Sequence, residues 1–216
     1  MENARPLPTF LIERYRLWQA RVATKGRAHL AALANDGQRP RAMIIACCDS
    51  RVMATAVFGG EAGDFFVHRN IANLVPRFTP DSAVRGTSAT IEYAVTVLKV
   101  RHLIVMGHHG CGGVAGCYDL MSGHENAPPA DSFVGRWLTI LEPGFDRVAA
   151  LGLPRAEALR ALEHQAILVS LENLIEFPFV AAAVAAGRLQ LHGIWKDISD
   201  GDLDFYDATT DSFHDV

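Results

Sequence analysis

Short apolar runs and polar, glycine-marked breaks alternate along this chain, and the period of the apolar positions changes from segment to segment. Over residues 8–33, Phe10, Leu11, Tyr15, Trp18, Val22, Leu30 and Leu33 recur at roughly helical spacing among arginines, which predicts one or two amphipathic helices stopped by Asn35-Asp36-Gly37. The unbroken runs at 42–46 (AMIIA) and 102–106 (HLIVM), with 65–68 between them, predict buried parallel strands. Residues 82–99 carry Ile91, Ala94, Val95 and Leu98 on one face, so a helix falls between two strands. Residues 157–187 read as helical and apolar, with Pro178 forcing a kink or break. Residues 189–195 and 203–206, joined across Asp200-Gly201, predict a closing strand pair. The sum is an α/β fold: a mainly parallel central sheet with helices on both faces, over 37–216, preceded by an N-terminal helical arm over 1–36. The two parts are expected to make one structural domain.

Composition narrows the chemistry. A chain of 216 residues suits one α/β domain with a real core. At 50% hydrophobic and 20% charged residues it is too apolar for a disordered chain and too charged for a membrane bundle. The net charge is -4, and no basic stripe interleaved with aromatics runs along the chain, so a small substrate is expected and a nucleic acid is not. The longest apolar stretch, 177–187, is too short to cross a bilayer, and the opening MENARPLPTF has no basic segment followed by an apolar one. A cytoplasmic protein without a membrane partner is therefore expected. In that reducing setting, four cysteines suggest ligands, nucleophiles or buried fillers before disulfides.

The candidate chemistry lies just beyond two of the strands. Cys47 opens Cys-Cys-Asp-Ser-Arg (47–51), and His108 and Cys111 sit in Gly-His-His-Gly-Cys-Gly-Gly (107–113). Ligand sites of open α/β sheets lie off the carboxyl ends of strands, so neighbouring strands would join these two clusters. Two thiolates and an imidazole make three zinc ligands and leave a fourth position for water, the pattern of a catalytic site. A lone cysteine ending a strand is usually packing, and a bare H-x-x-C is weak. The charges of Asp49 and Arg51 directly after an apolar strand strengthen the combination, since half-buried charges are expected to be paired. Cys48 and Cys117 read as packing residues, and His29, His102, His164 and His192 have no cluster partner in the sequence.

Cys47 to Val52 (C-x-D-S-R-V), residues 68–76 (HRNIANLVP), 86–95 (GTSATIEYAV) and 107–113 (G-H-x-x-C-G-G) together resemble the signature of the β-class carbonic anhydrases. The resemblance runs from Gln38 to Gly113 and more loosely through 191–201. It implies one zinc ion per chain on Cys47, His108 and Cys111, with Asp49 and Arg51 as the catalytic dyad. The implied reaction is reversible hydration of carbon dioxide to bicarbonate and a proton, by attack of zinc-bound hydroxide that Asp49 orients and Arg51 steadies. Gln38, Phe66, Ile71 and Tyr93 fall where plant-type members place their substrate-pocket residues, with Gly112 beside them. Another branch has a Trp-Arg-Tyr bicarbonate pocket; here Ile44 and Lys196 replace its aromatic residues and only Arg69 remains. His109 offers itself as a proton shuttle, beside the plainer reading of a solvated imidazole. The resemblance also implies a homodimer or a dimer-based assembly, in which the N-terminal arm wraps a neighbouring chain. Hydrolysis of carbonyl sulfide or carbon disulfide on the same scaffold, a non-catalytic zinc or bicarbonate-binding module, and a thiol redox protein are the alternatives. Adjacent Cys47 and Cys48 suit the last poorly.

Overall fold

The apolar runs form one six-stranded sheet. Strands β1 (Ala42–Cys47), β2 (Phe65–Asn70), β3 (His102–His108) and β4 (Gln190–Lys196) are parallel, and β5 (Leu203–Asp207) and β6 (Ser212–Asp215) continue antiparallel, in the order β2-β1-β3-β4-β5-β6. Every residue of β1 is buried, as expected of an inner strand covered on both faces, whereas edge strand β2 has none fully buried. The chain leaves β1 for β2 on one side and returns to β3 on the other. That reversal opens a crevice at the carboxyl ends of β1 and β3, the usual place for a ligand in an open α/β sheet.

This computed structural model describes residues 5–22, 25–80 and 85–216. The chain forms two units, residues 1–38 and 39–216. In the first, the expected amphipathic segment is two helices, α1 (Thr9–Arg21) and α2 (Lys25–Asp36). None of the α1 residues is buried, and Phe10, Tyr15 and Trp18 are each at least 50% exposed.

In the second unit, α3 (Gly86–Glu92) leads into a π-helical segment, Tyr93–Leu98, which ends where the Lys99 N–H bonds back to the Ala94 carbonyl with Lys99 left-handed at φ 55°. The continuous helix expected over 82–99 is thus an α-helix that widens in its last turns. Residues 82–84 of that expectation lie outside the described residues. Next come α4 (Gly112–Met121), α5 (Phe133–Leu138), α6 (Glu142–Ala149), α7 (Arg155–Ile175) and α8 (Pro178–Ala185). Pro178 starts α8 at an 89° bend from α7, because a proline ring tolerates the first turn of a helix and not its interior.

One face of the sheet packs Met43, Ile45, Leu103 and Val105 against Ile91, Val95, Ile167, Leu174 and Val180, from α3, the π segment, α7 and α8. Helix α7 comes close enough that a Cβ on Gly193 would stand 2.7 Å from the Ile167 Cγ2. On the other face, Ile44, Ala46, Met106 and Ile194 are closed by Val52, Ala54, Val57 and Leu203, from a 3-10 turn, loops and β5. Among the described residues of that cluster none comes from an α-helix, while the mainly parallel sheet as a whole is flanked by helices, as expected.

Candidate metal centre

Cys47 is the last residue of β1 and His108 the last of β3, adjacent strands whose register pairs Ala46 with Met106. Cys111 follows one tight loop later, as the N-cap of α4. The two Sγ atoms lie 3.9 Å apart, and they and one His108 ring nitrogen all fall within 4.8 Å of one another. All three residues are buried.

The donor set fits zinc on two observations. Two sulfurs at tetrahedral positions about 2.3 Å from a zinc ion would be separated by about 3.8 Å, which is close to the separation seen. The His108 Nδ1 lies 2.8 Å from the His109 carbonyl, to which it donates, so Nε2 is the free nitrogen, and that atom is buried without a hydrogen-bond partner among the described residues. A buried imidazole nitrogen facing two sulfurs is costly unless a cation completes it. The thiols report the same need. Cys47 is pushed well below the usual thiol range, first by the Cys111 thiol and then by His108, while the same contact and burial push Cys111 up. Two thiolates this close cannot both be charged without a cation between them. Backbone N–H groups support each sulfur: those of Asp49 and Ala72 favour the Cys47 thiolate, and those of Gly113 and Val114 the Cys111 thiolate.

The Ala72 N–H reaches Cys47 from a strained turn. Ala72 and Asn73 are left-handed at φ 61° and 50°, a region that non-glycine residues avoid, and the surroundings hold them there. Trp137 Nε1 donates to the Ile71 carbonyl at 2.8 Å, Ser170 Oγ to the Asn73 carbonyl at 3.2 Å, and Asn173 Nδ2 to the Val75 carbonyl at 2.8 Å.

Asp49 and Arg51 meet as expected from their spacing. The Arg51 backbone N–H and Nε both donate to Asp49 Oδ1 at 2.9 Å, and Nη2 donates to Oδ2 at 2.7 Å and to the Gly110 carbonyl at 3.0 Å. This bidentate grip holds the Asp49 carboxyl well below the usual carboxylate range. It also ties the loop after β1 to the loop after β3.

Two further residues hold the ligand loops, and sequence reasoning assigned neither this work. Arg69 donates through Nε to the Cys47 carbonyl at 2.9 Å and through Nη2 to the Asp49 carbonyl at 2.7 Å. Glu163 of α7 is buried; its Oε1 accepts from the Gly110 and Cys111 N–H groups at 2.7 and 3.2 Å, and its Oε2 from Trp195 Nε1 at 3.1 Å. Burial pushes this carboxyl above the usual range. The signal for Glu163 was available: it is an acid on the stripe otherwise carried by Leu162, Ala166, Ile167 and Ser170.

Of the expected pocket residues, Ile71 and Gly112 lie at the metal loop, and Phe66 and Tyr93 farther up the sheet. Ile71 touches the metal loop, since a Cβ on Gly113 would stand 2.7 Å from its Cγ2, whereas a Cβ on Gly112 would meet nothing within 4 Å. Phe66 and Tyr93 pack on each other at 5.9 Å, but Phe66 pairs with Met43, four residues or about 13 Å up the strand from Cys47. Gln38 is exposed and belongs to the first unit. Cys117 is buried packing, its thiol pushed up to about 12 by burial, while Cys48 is exposed because the chain has left the sheet there, correcting its reading as a packing residue. His102 and His192, which lacked a partner in the sequence, face each other with Nδ1 and Nε2 3.1 Å apart. His164 stacks on Phe213 with ring centres 4.1 Å apart.

Residues 42–203 match the model of the carbonic anhydrase family. The chain is 35% identical over 182 residues to "Beta carbonic anhydrase 3" of Arabidopsis thaliana, covering 82% of this chain and 69% of that one. Among solved structures, the β-carbonic anhydrase CcaA superposes with a TM-score of 0.87 at 31% identity, over 95% of this chain and 90% of that chain. A structure reported as a tetrameric β-carbonic anhydrase from Sordaria macrospora gives 0.77 at 30% identity, over 91% and 94% of the two chains.

Proposed function

Because the chain belongs to the β-class carbonic anhydrases, zinc enzymes that hydrate carbon dioxide, we propose that Asp49, held by Arg51, orients the attacking water at a centre formed by Cys47, His108 and Cys111. The observation that carries this reading is the Asp49–Arg51 grip, two residues beyond a ligand cysteine and bonded across to the second ligand loop through Gly110.

Zinc supplies Lewis acidity when bound, which makes water nucleophilic near neutral pH, as it does in carbonic anhydrases at large. Two thiolates donate more charge than imidazoles, so the protein has to contribute more through orientation. Each carboxylate oxygen has two acceptor sites, and Arg51 takes Oδ1 with two donors and Oδ2 with one, which leaves acceptor capacity on Oδ2. An O–H donated there has its oxygen lone pair fixed in direction, and that alignment lowers the entropic part of the barrier. Arg51 keeps Asp49 an anion, an acceptor that cannot turn into a donor. The proton released from the site can pass to His109, half-exposed with its Nδ1 4.0 Å from Glu163 Oε2.

The assembly is read as a homodimer or a multiple of one. The exposed Phe10, Tyr15 and Trp18 of α1 and the exposed Tyr93 beside Phe66 are apolar surfaces that a second chain would cover. A cleft completed in that way would account for Phe66 and Tyr93 lying up the sheet from Cys47. Stopped-flow hydration on protein with counted zinc tests the mechanism: Asp49→Ala should keep its zinc and lose about 100-fold or more in kcat, the scale of a lost orienting contact. Full activity in that variant would refute the role.

A further inference from the structure

At the end of the sheet opposite the metal centre, two adjoining clefts of about 530 and 470 Å³ share Lys99, Arg101 and His102. Arg188 and Gln190 complete the larger, and Arg39 and Arg41 the smaller. These residues come from the lead-ins to β1, β3 and β4, so the cations meet only because the amino ends of three parallel strands do. Their scatter over residues 39–188 explains why no basic stripe shows along the chain.

Three features single this surface out. Among the described residues no acidic side chain lines either cleft, in a protein whose net charge is -4. Among the described residues none of these five cations forms an ion pair, so their charges stand together without a carboxylate between them. The floor of the larger cleft is formed by the outermost atoms of the core residues Val95, Val100, Ala183 and Leu189, which gives an organic group something to rest on beside the cations. Like charges held together and unpaired raise the local potential, which a bound anion would lower. Guanidinium forks match phosphate oxygens, and the volume lies within the range of small-molecule sites.

We propose that this amino-end cleft binds a phosphate ester of a small organic molecule, its phosphate on Arg101, Lys99 and Arg188 and its organic part on the apolar floor. The strands are six or seven residues long, which puts the cleft about 20 Å from Cys47 and His108. Its ligand therefore does not occupy the metal centre.

Adenosine 5′-monophosphate is a suitable probe, titrated calorimetrically into the zinc-loaded full chain. One saturable site per chain is expected, weakened about tenfold or more in Arg101→Ala/Arg188→Ala, as loss of charge-assisted bonds requires. The Arg101 backbone bonds to Arg41 and Gln190 survive the substitution, and both side chains are exposed, so the variant should fold; single Arg188→Ala gives a milder version of the same loss. Arg147→Ala, an arginine elsewhere on the surface, should bind as the parent does. Carbon dioxide hydration should stay within about twofold in the double variant, because the cleft is remote from the metal. Four results would overturn the proposal: no saturation by about 10 mM, equal binding by parent and double variant, equal loss in Arg147→Ala, or inorganic phosphate binding as tightly as the ester. A fall in assembly mass of the double variant without nucleotide binding by the parent would reassign the cleft to a contact between chains.

Discussion

Glu163 governs the metal loop without being a ligand. Three donors converge on its carboxylate, from Gly110, Cys111 and Trp195. In Glu163→Gln one oxygen becomes an NH2 group, which has to face a donor whichever way the amide turns. The expected cost is about 1–3 kcal/mol of stability in denaturant titration. Faster zinc loss to a chelator should accompany it under conditions where the variant is still folded. A variant that lost stability and kept the parent's zinc off-rate would make Glu163 a core residue only. Arg69 acts in the same manner from strand β2, on two carbonyls at and just beyond the end of β1.

At the scale of elements, the centre depends on how closely α4 approaches the turn at Ile71–Asn73. A methyl group on Gly113 would stand 2.7 Å from Ile71 Cγ2 and 3.0 Å from Ala72 Cβ. Gly113→Ala should therefore push the left-handed turn, and the Ala72 N–H, away from Cys47. A loss of about 1–3 kcal/mol is expected from overpacking, together with weaker zinc retention. Gly112→Ala, one residue earlier, meets open space and should be tolerated by the fold, which thermal melts of the pair would check. None of this was visible in the motif Gly-Cys-Gly-Gly, where the two glycines read alike. Only the position of Ile71, 42 residues before Gly113 in the chain, distinguishes them.

For the whole molecule, two dependences follow. Burial, and next the Arg160 charge, push His164 down to about 4 from an ordinary 6.5, so the folded protein keeps this ring neutral while the unfolded chain protonates it. Between those values the unfolded state binds more protons, and stability falls as pH drops from 6.5 toward 4. The contribution is on the order of 2 kcal/mol. His164→Phe, which keeps a ring against Phe213, should lose less stability than the parent across that window in denaturant titrations. Assembly is the second. Phe10→Ser/Trp18→Ser should lower the mass measured by light scattering if α1 covers a second chain, and an unchanged mass would remove the arm from the interface.

The sequence by itself determined the parallel strands, the identity of the candidate ligands and the Asp49–Arg51 pair, because each is written in a short stretch. A buried strand is written in four to six consecutive apolar residues, and a ligand loop in a few positions after one. The meeting of Cys47 with the loop of His108 and Cys111 needed β1 and β3 to be neighbours. Strand order, the bent and widened helices, and the roles of Arg69, Glu163 and Gly113 were decided by the tertiary structure. So was the gathering of Arg39, Lys99, Arg101 and Arg188 at the amino end of the sheet. Each depends on chain segments tens of residues apart arriving at one place, and no period or spacing along the chain encodes that distance.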